Sequence, residues 1–170
     1  MSGRDQSQAK AKASKGPAPG QDLPPCLIFI DKEGRMFHQG TEMIHAGINS
    51  LLLENLTLDN EGRYIIDYKD QKCWVEVEDT PVVVQGVESE PDRPGRFKLA
   101  LSDQTKEELN PELLWISPEN VLYTKIRAGR LPARFLRPAY YQLAEFIEET
   151  DTGFALDCGG RLHPISQGRP

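Results

Sequence analysis

One five-residue pattern, Asp-x-x-Gly-Arg, occurs three times in this chain and constrains its fold more than any other feature. It occupies residues 31–35, 59–63 and 157–161, and an apolar side chain follows each copy. The Asp can accept hydrogen bonds from backbone N–H groups two residues further on, and the Gly allows the positive φ that a type I turn with a G1 bulge requires. The pattern therefore predicts three tight β-hairpins, each with its glycine in the left-handed region.

The segments between these turns predict strands with two helices among them. The first helix is expected from Thr41 to about Asn55, and the second from near Pro138 to near Glu149. The apolar stripe expected to face the core in the first helix consists of Ile44, Ile48, Leu51, Leu52 and Leu53. Residues 82–84 are expected to form the most buried strand, and residues 127–137 a basic loop. This order predicts an α+β fold, made mainly of antiparallel β-hairpins and sheet with two helices and repeated strand–helix units.

Composition and charge predict how the chain is divided and which partners are disfavoured. Residues 1–22 hold no large apolar side chain except Met1, which predicts a disordered tail. An N-terminal α+β subdomain is expected over 23–88, with a C-terminal α+β subdomain over 89–170 packed on it.

The net charge of the chain is −6, and the tail has four basic and two acidic residues, so the remainder carries −8. Such a body disfavours binding to nucleic acid or to an anionic membrane surface.

The cysteines and the apolar runs predict a cytoplasmic protein. Cys26, Cys73 and Cys158 are far apart and form no C-x-x-C pair, so three reduced thiols are expected. No apolar run approaches the roughly 18 residues that a membrane-spanning helix needs. The N-terminus has basic residues but no apolar segment of the kind found in secretory signals.

A basic stretch near residue 130 is the strongest functional lead. Five basic residues lie within thirteen positions without an acidic one among them: Lys125, Arg127, Arg130, Arg134 and Arg137. They come just before the predicted second helix, whose N-terminus favours an anion. The stretch either binds an anionic small ligand or an acidic protein surface, or pairs with the acidic residues of the same molecule, such as Glu145 and Glu149.

Histidines and acids offer a second, different lead. His38 and His163 end the return strands of the first and third turns, and His45 could join them if the two units meet. Glu76 and Glu78 share one strand face, with Asp79 next to them, so these acids could hold a divalent cation or act in acid–base chemistry. Together these residues would form the metal site of a hydrolase. The alternative is that the acids are the solvated outer face of a half-buried strand and that the histidines make ordinary hydrogen bonds.

Motifs for common enzyme mechanisms are absent from the sequence. There is no nucleophile elbow, P-loop, dinucleotide fingerprint or metalloprotease helix, and no cofactor is predicted. The leading hypothesis is therefore a non-enzymatic cytoplasmic module that binds a ligand or a protein, with a regulatory role. The alternative is the metal-dependent hydrolase.

Three blocks of the sequence resemble a bacterial family of uncharacterised proteins that is described only as a domain of unknown function. These blocks are residues 29–38, 58–64 and 75–83; with 160–162 they also resemble a second uncharacterised family, found in eukaryotes and bacteria. The resemblance implies an α+β fold of two subdomains with repeated structural units. For the bacterial family it also implies a part in signal transduction, by analogy of fold, and it carries no catalytic residues to this chain.

Overall fold

The first two Asp-x-x-Gly-Arg copies form the same turn in the computed structural model, which describes residues 23–169. In residues 31–35, the N–H of Asp31 donates to the carbonyl of Arg35 and the N–H of Gly34 donates to the carbonyl of Asp31, each at 3.0 Å. The φ of Gly34 is +81°, and residues 59–63 repeat these bonds. The type I turn with a bulged glycine is thus confirmed for two copies.

The third copy also reverses the chain, but with a tighter loop. The N–H of Cys158 donates to the carbonyl of Arg161, so only Gly159 and Gly160 lie in the loop. Both have positive φ, +69° and +92°, as a type I′ turn requires. The second glycine, which the first two copies lack, explains the difference.

The first sheet contains two of these hairpins and has the strand order β3-β2-β1-β6-β5-β4. Only β1 and β6 pair in parallel; the other pairs are antiparallel. Helix α1 (Ala46–Glu54) connects β3 to β4. The strands are β1 (Pro25–Ile30), β2 (Met36–His38), β3 (Thr41–Glu42), β4 (Leu56–Leu58), β5 (Tyr64–Tyr68) and β6 (Gln71–Val77).

The prediction for α1 was wrong in its start and in part of its buried face, because only Leu53 of the expected apolar stripe is fully buried. Thr41 lies in β3, and the helix is capped instead by His45, whose Nδ1 accepts from the N–H of Ile48. Ile44 and Ile48 are 87% and 48% exposed, whereas Leu53 is 1% exposed. The helix therefore buries the side that carries Leu53, and Asn55 ends it with a negative φ of −94°.

The second sheet has seven strands in the order β16-β10-β11-β12-β7-β8-β9. The basic loop expected over residues 127–137 is confirmed only for 127–130. The prediction was wrong for residues 131–135, which form β12 with Leu131, Ala133 and Phe135 buried. A 3-10 helix, Pro111–Leu113, precedes β10. The strands are β7 (Val82–Ser89), β8 (Phe97–Leu101), β9 (Lys106–Glu108), β10 (Trp115–Ile116), β11 (Leu122–Ile126), β12 (Leu131–Phe135) and β16 (Ser166–Gln167).

The third sheet is small and follows helix α2 (Arg137–Ala144). Its strands are β13 (Ile147–Thr150), β14 (Gly153–Asp157) and β15 (Leu162–Pro164), all antiparallel. The second helix was expected to reach Glu149, but this residue lies in β13. Each helix leads directly into a strand, and the predicted α+β class with mostly antiparallel sheets is confirmed.

One apolar core joins the sheets. Val82, Val83 and Val84 are fully buried, as predicted, and β7 pairs with β12 on one side and with β8 on the other. The expected subdomain boundary after residue 88 falls inside β7, and core residues come from both sides of it. The tail predicted over residues 1–22 lies outside the described residues. No helix in residues 23–169 has the length and hydropathy to cross a membrane.

The expectation of three reduced thiols was wrong for two of them. Cys26 in β1 and Cys73 in β6 form a disulfide, with 5.0 Å between their Cα atoms. The parallel pairing of β1 with β6 brings together two cysteines that are 47 residues apart, which their spacing in sequence does not reveal. Cys158 is a free, half-buried thiol, and burial raises its pKa.

Candidate functional site

The five basic residues of the predicted stretch do not form one patch. Arg127 and Arg130 lie in the four-residue loop between β11 and β12, whereas Arg134 lies on β12 and Arg137 begins α2. Arg130 and Arg134 are separated by about 13 Å along the strand, at about 3.3 Å per residue. Only Arg127 and Arg130 therefore lie together in the loop, and Arg134 and Arg137 belong to other parts of the fold.

Arg127 and Arg130, which we call the loop pair, line a large cleft. This cleft has a volume of about 660 Å³, and we call it the loop cleft. Three segments form it: the end of α1 with β4, the β8–β9 turn with β9, and the β11–β12 loop. Leu56, Leu58 and Leu131 supply apolar surface, and six ionisable side chains line it as well: Glu54, Asp103, Lys106, Glu107, Arg127 and Arg130.

Arg127 holds the three segments of the loop cleft together. Its guanidinium pairs with Asp103 at 3.0 Å and donates to the carbonyl of Leu56 at 3.4 Å. Its backbone N–H donates to the carboxylate of Glu107 at 2.9 Å. Because the Asp103 side chain is only 2% exposed, the charge of Arg127 is used in a buried ion pair and positions the cleft walls.

Arg130 is placed differently and faces solvent. Its Nε donates to the carbonyl of Arg127 at 3.0 Å, which fixes the stem of the guanidinium at the mouth of the cleft. No carboxylate in the described part of the chain lies within 4 Å of its nitrogens. The two Nη groups are therefore free to donate two parallel hydrogen bonds to a carboxylate or a phosphate.

The loop that carries these arginines is strained. Arg127 and Ala128 have φ values of +53° and +55°, and Gly129 follows with +81°. A left-handed conformation costs a residue with a Cβ about 1–2 kcal/mol, and this loop contains two such residues in succession. Strain of this kind concentrates at functional sites, because surrounding contacts must hold it in place. Here the ion pair of Arg127 with Asp103 provides such contacts.

Arg134 belongs to a second cluster, between the first and second sheets. Its guanidinium pairs with Asp79 at 2.8 Å, and the hydroxyl of Tyr123 donates to the same carboxylate oxygen at 2.9 Å. Burial, followed by the hydrogen bond to the charged Asp79, raises the pKa of Tyr123 to about 12. The indole of Trp115 stacks on the Tyr123 ring, with 5.3 Å between centroids. The charges of Arg134 and Asp79 thus neutralise each other in an ion pair.

The residues of the hypothetical metal site are dispersed. His38 lies in the first sheet and His163 in the third, while Glu78 accepts the N–H of Lys32 and Asp79 pairs with Arg134. Glu76 is exposed on β6, beside an apolar groove that Phe29, Phe37 and Trp74 also line. Within residues 23–169, no three His, Cys, Asp or Glu side chains lie close enough together to hold a metal ion.

Sequence reasoning missed the acidic side of the loop cleft. Glu54, Asp103 and Glu107 come from two distant segments, and the local sequence carries no signal that brings them to the β11–β12 loop. A signal for β12 itself was present, because Leu131, Ala133 and Phe135 alternate with other residues in the period of a strand. Recognition of that strand would have separated the loop pair from Arg134.

Comparison with solved structures shows which proteins share this fold. A DUF1285 family protein from Silicibacter pomeroyi DSS-3 superposes with a TM-score of 0.69 and 23% identity, covering 91% of this chain and 90% of that one. A DUF1285 family protein from Shewanella baltica OS155 superposes with a TM-score of 0.59 and 21% identity, covering 70% of this chain and 91% of that one. These are uncharacterised bacterial proteins with a domain of unknown function, so the predicted resemblance to such proteins is confirmed at the level of the fold. No protein-family model and no curated protein matches the sequence.

Proposed function

We propose that this protein is a non-enzymatic module that binds a small ligand through an anionic group in the loop cleft. The observation that carries the proposal is the guanidinium of Arg130. It lies at the mouth of a cleft of about 660 Å³ and has no carboxylate within 4 Å in residues 23–169. A concave site with apolar walls and a few convergent polar groups is typical of small-molecule binding.

The shape of the site favours a small ligand over an acidic protein surface. Arg127 and Arg130 lie on a cleft with Leu56 and Leu131, whereas an acidic surface would need several free cations on one face. Lys106, the third cation of the cleft, is paired with Glu88 at 2.8 Å, and Arg127 is paired with Asp103. Arg130 is thus the one cation of the cleft without a carboxylate partner among the described residues, and it can bind one acid group. The regulatory role remains part of the proposal, because the family resemblance supports it. The cysteines no longer support a cytoplasmic location, since Cys26 and Cys73 form a disulfide and disulfides are rare in that compartment.

Replacement of Arg130 tests the proposal directly. Thermal-shift and calorimetric titrations would use three small molecules that each carry an anionic group: 4-methylpentanoate, leucine and glucose 6-phosphate. At least one is expected to raise the melting temperature of the wild type, because a ligand that binds only the folded state stabilises it. Arg130→Ala should weaken that binding at least tenfold, since it removes the bidentate donor.

The matched control is Arg137→Ala, which removes the same charge from an exposed residue that does not line the cleft. Its binding should equal that of the wild type within a factor of two. Equal binding by Arg130→Ala and the wild type would overturn the proposal, as would the absence of a shift with all three compounds.

A further inference from the structure

Building on the proposed function, we infer that the ligand of the loop cleft is amphoteric: an α-amino acid or short peptide with an aliphatic side chain. Its acid group would bind Arg130, and its protonated amine would bind Glu107, with Glu54 nearby. The charges that remain open in the cleft, its position at the end of a helix and its apolar lining support this inference.

The charges that line the loop cleft do not cancel in pairs. Arg127 neutralises Asp103, and Lys106 is paired outside the cleft with Glu88. Glu54 and Glu107 remain, and neither has a cationic side chain within 4 Å among the described residues. Two carboxylates thus stand against the single guanidinium of Arg130. A ligand with only anionic groups would meet repulsion from both acids, whereas a protonated amine would be attracted.

Glu107 is the acid best placed to receive an amine. It is half-buried on β9, and one of its carboxylate oxygens accepts the N–H of Arg127 at 2.9 Å. That bond fixes the carboxylate and leaves the other oxygen available to a donor. A pre-oriented carboxylate loses less conformational entropy when it binds an ammonium group than a freely moving one.

The end of α1 adds negative potential at the same cleft. Glu54 is the last residue of this helix, and both Glu54 and Leu56 line the cleft. The C-terminal end of a helix carries a partial negative charge, which attracts cations. Glu54 adds a full negative charge at this end, so this wall favours an ammonium group over a second anion.

Apolar surface lies beside these charged groups. Leu58 is partly exposed and offers this surface to a ligand, whereas Leu56 and Leu131 also line the cleft but are almost fully buried and add little. An aliphatic side chain placed here would leave water, at a gain that grows with the apolar area covered. The chemistry of the cleft thus combines an acid-binding guanidinium, an amine-binding carboxylate and a surface for a hydrocarbon group.

A matched set of probes tests the inference by calorimetry on the full chain. Leucine carries both charged groups, 4-methylpentanoate lacks only the amine, and 3-methylbutylamine lacks only the carboxylate. Leucine is expected to bind at least tenfold more tightly than either of the others, since each of them leaves one charged group of the cleft without its counterpart.

Two glutamate variants then locate the amine site. Glu107→Gln keeps an oxygen that can accept the N–H of Arg127 but loses the charge, so it should bind leucine and 4-methylpentanoate within a factor of three of each other. Glu108→Gln makes the same change on the next residue of β9, which does not line the cleft, and should keep the wild-type preference.

The outcomes separate this inference from the proposed function. If 4-methylpentanoate binds as tightly as leucine and both depend on Arg130, the amphoteric ligand is overturned while the anion site stands. If Glu107→Gln keeps the full preference for leucine, the assignment of the amine to Glu107 is overturned. If none of the three probes binds, the inference fails outright, and the proposed function then depends on the phosphate probe alone.

Discussion

Arg134 and Asp79 form an ion pair, 2.8 Å from Nη1 to Oδ2, that connects the second sheet to the end of the first. Tyr123 donates to the same oxygen, and the Thr80 hydroxyl accepts the backbone N–H of Arg134 at 3.1 Å. Each of these polar groups has its hydrogen-bonding partner within the junction. We therefore assign Arg134 to the stability of the fold and Arg130 to ligand binding.

Removal of the Arg134 side chain is expected to lower the free energy of unfolding by about 1–3 kcal/mol, because it leaves the carboxylate of Asp79 without its charged partner. Urea unfolding followed by fluorescence measures this difference. Arg137→Ala, the exposed control, should change stability by less than about 0.5 kcal/mol. Equal stability of the two variants would show that the ion pair contributes nothing.

The tyrosine at this junction should titrate late and make stability fall at high pH. The pKa of Tyr123 is raised to about 12 in the folded protein, against about 10 in an unfolded chain. Folding thus favours the protonated phenol, so this contribution is fully present below pH 10 and is lost as the pH rises from 10 toward 12. Burial also raises the pKa of Tyr64. Absorbance at 295 nm should therefore show two tyrosines, Tyr64 and Tyr123, ionising above the usual pH of a phenol.

Tyr123→Phe gives the internal check of that titration. The variant should lose one of the two late ionisations, and its unfolding free energy should depend less on pH between 10 and 12. A late phase of unchanged amplitude in Tyr123→Phe would assign the raised pKa to another tyrosine.

Helix α1 offers a comparison between two apolar residues of one element. Leu53 is 1% exposed, so Leu53→Ala should cost about 2–5 kcal/mol through lost burial and a cavity. Ile48 is 48% exposed, and Ile48→Ala should cost less than about 1 kcal/mol. Chemical denaturation of both variants measures the difference. Similar losses would mean that Ile48 faces the core, as its spacing in sequence predicts.

Local features of the fold could be predicted from the sequence, whereas features that depend on strand pairing could not. Turn chemistry is local, so the glycines at 34, 62 and 160 predicted three chain reversals correctly. The run Val82–Val84 is apolar on both faces, and no other environment suits it. The start of α1 failed because Thr41 and His45 can both cap a helix, and only the pairing of Thr41 with His38 in the first sheet decides between them.

The features that the sequence did not predict depend on contacts between segments that are distant along the chain. Asp103 and Arg127 are 24 residues apart, and Cys26 and Cys73 are 47 apart. Neither pairing has a local signature, because each depends on which strands become neighbours. The loop cleft combines three such segments. The sequence could therefore indicate Arg127 and Arg130 as cations of interest. It could not show that Arg127 is paired with a carboxylate whereas Arg130 has no such partner within residues 23–169.

The thiols provide a chemical test of the first sheet. Intact-mass measurement after alkylation in denaturant, without reductant, should show one label, at Cys158, and three labels after reduction. Cys26→Ala should lower the unfolding free energy by about 4 kcal/mol in the chain-entropy model, because the bond closes a long loop. Three labels before reduction would contradict the disulfide and support the reduced thiols that the spacing of the cysteines predicts.

Two equivalent glycines separate turn chemistry from tertiary packing. Gly34 and Gly62 occupy the same position of the same turn, with φ of +81° and +77°. A Cβ on Gly62 would have open space around it, whereas one on Gly34 would lie 2.8 Å from Cγ2 of the buried Val83. Gly62→Ala should therefore cost only the left-handed penalty, about 1–2 kcal/mol, and Gly34→Ala should cost at least about 1 kcal/mol more. Thermal and urea unfolding of the two variants measure this gap. Equal losses would mean that the first turn does not pack against β7.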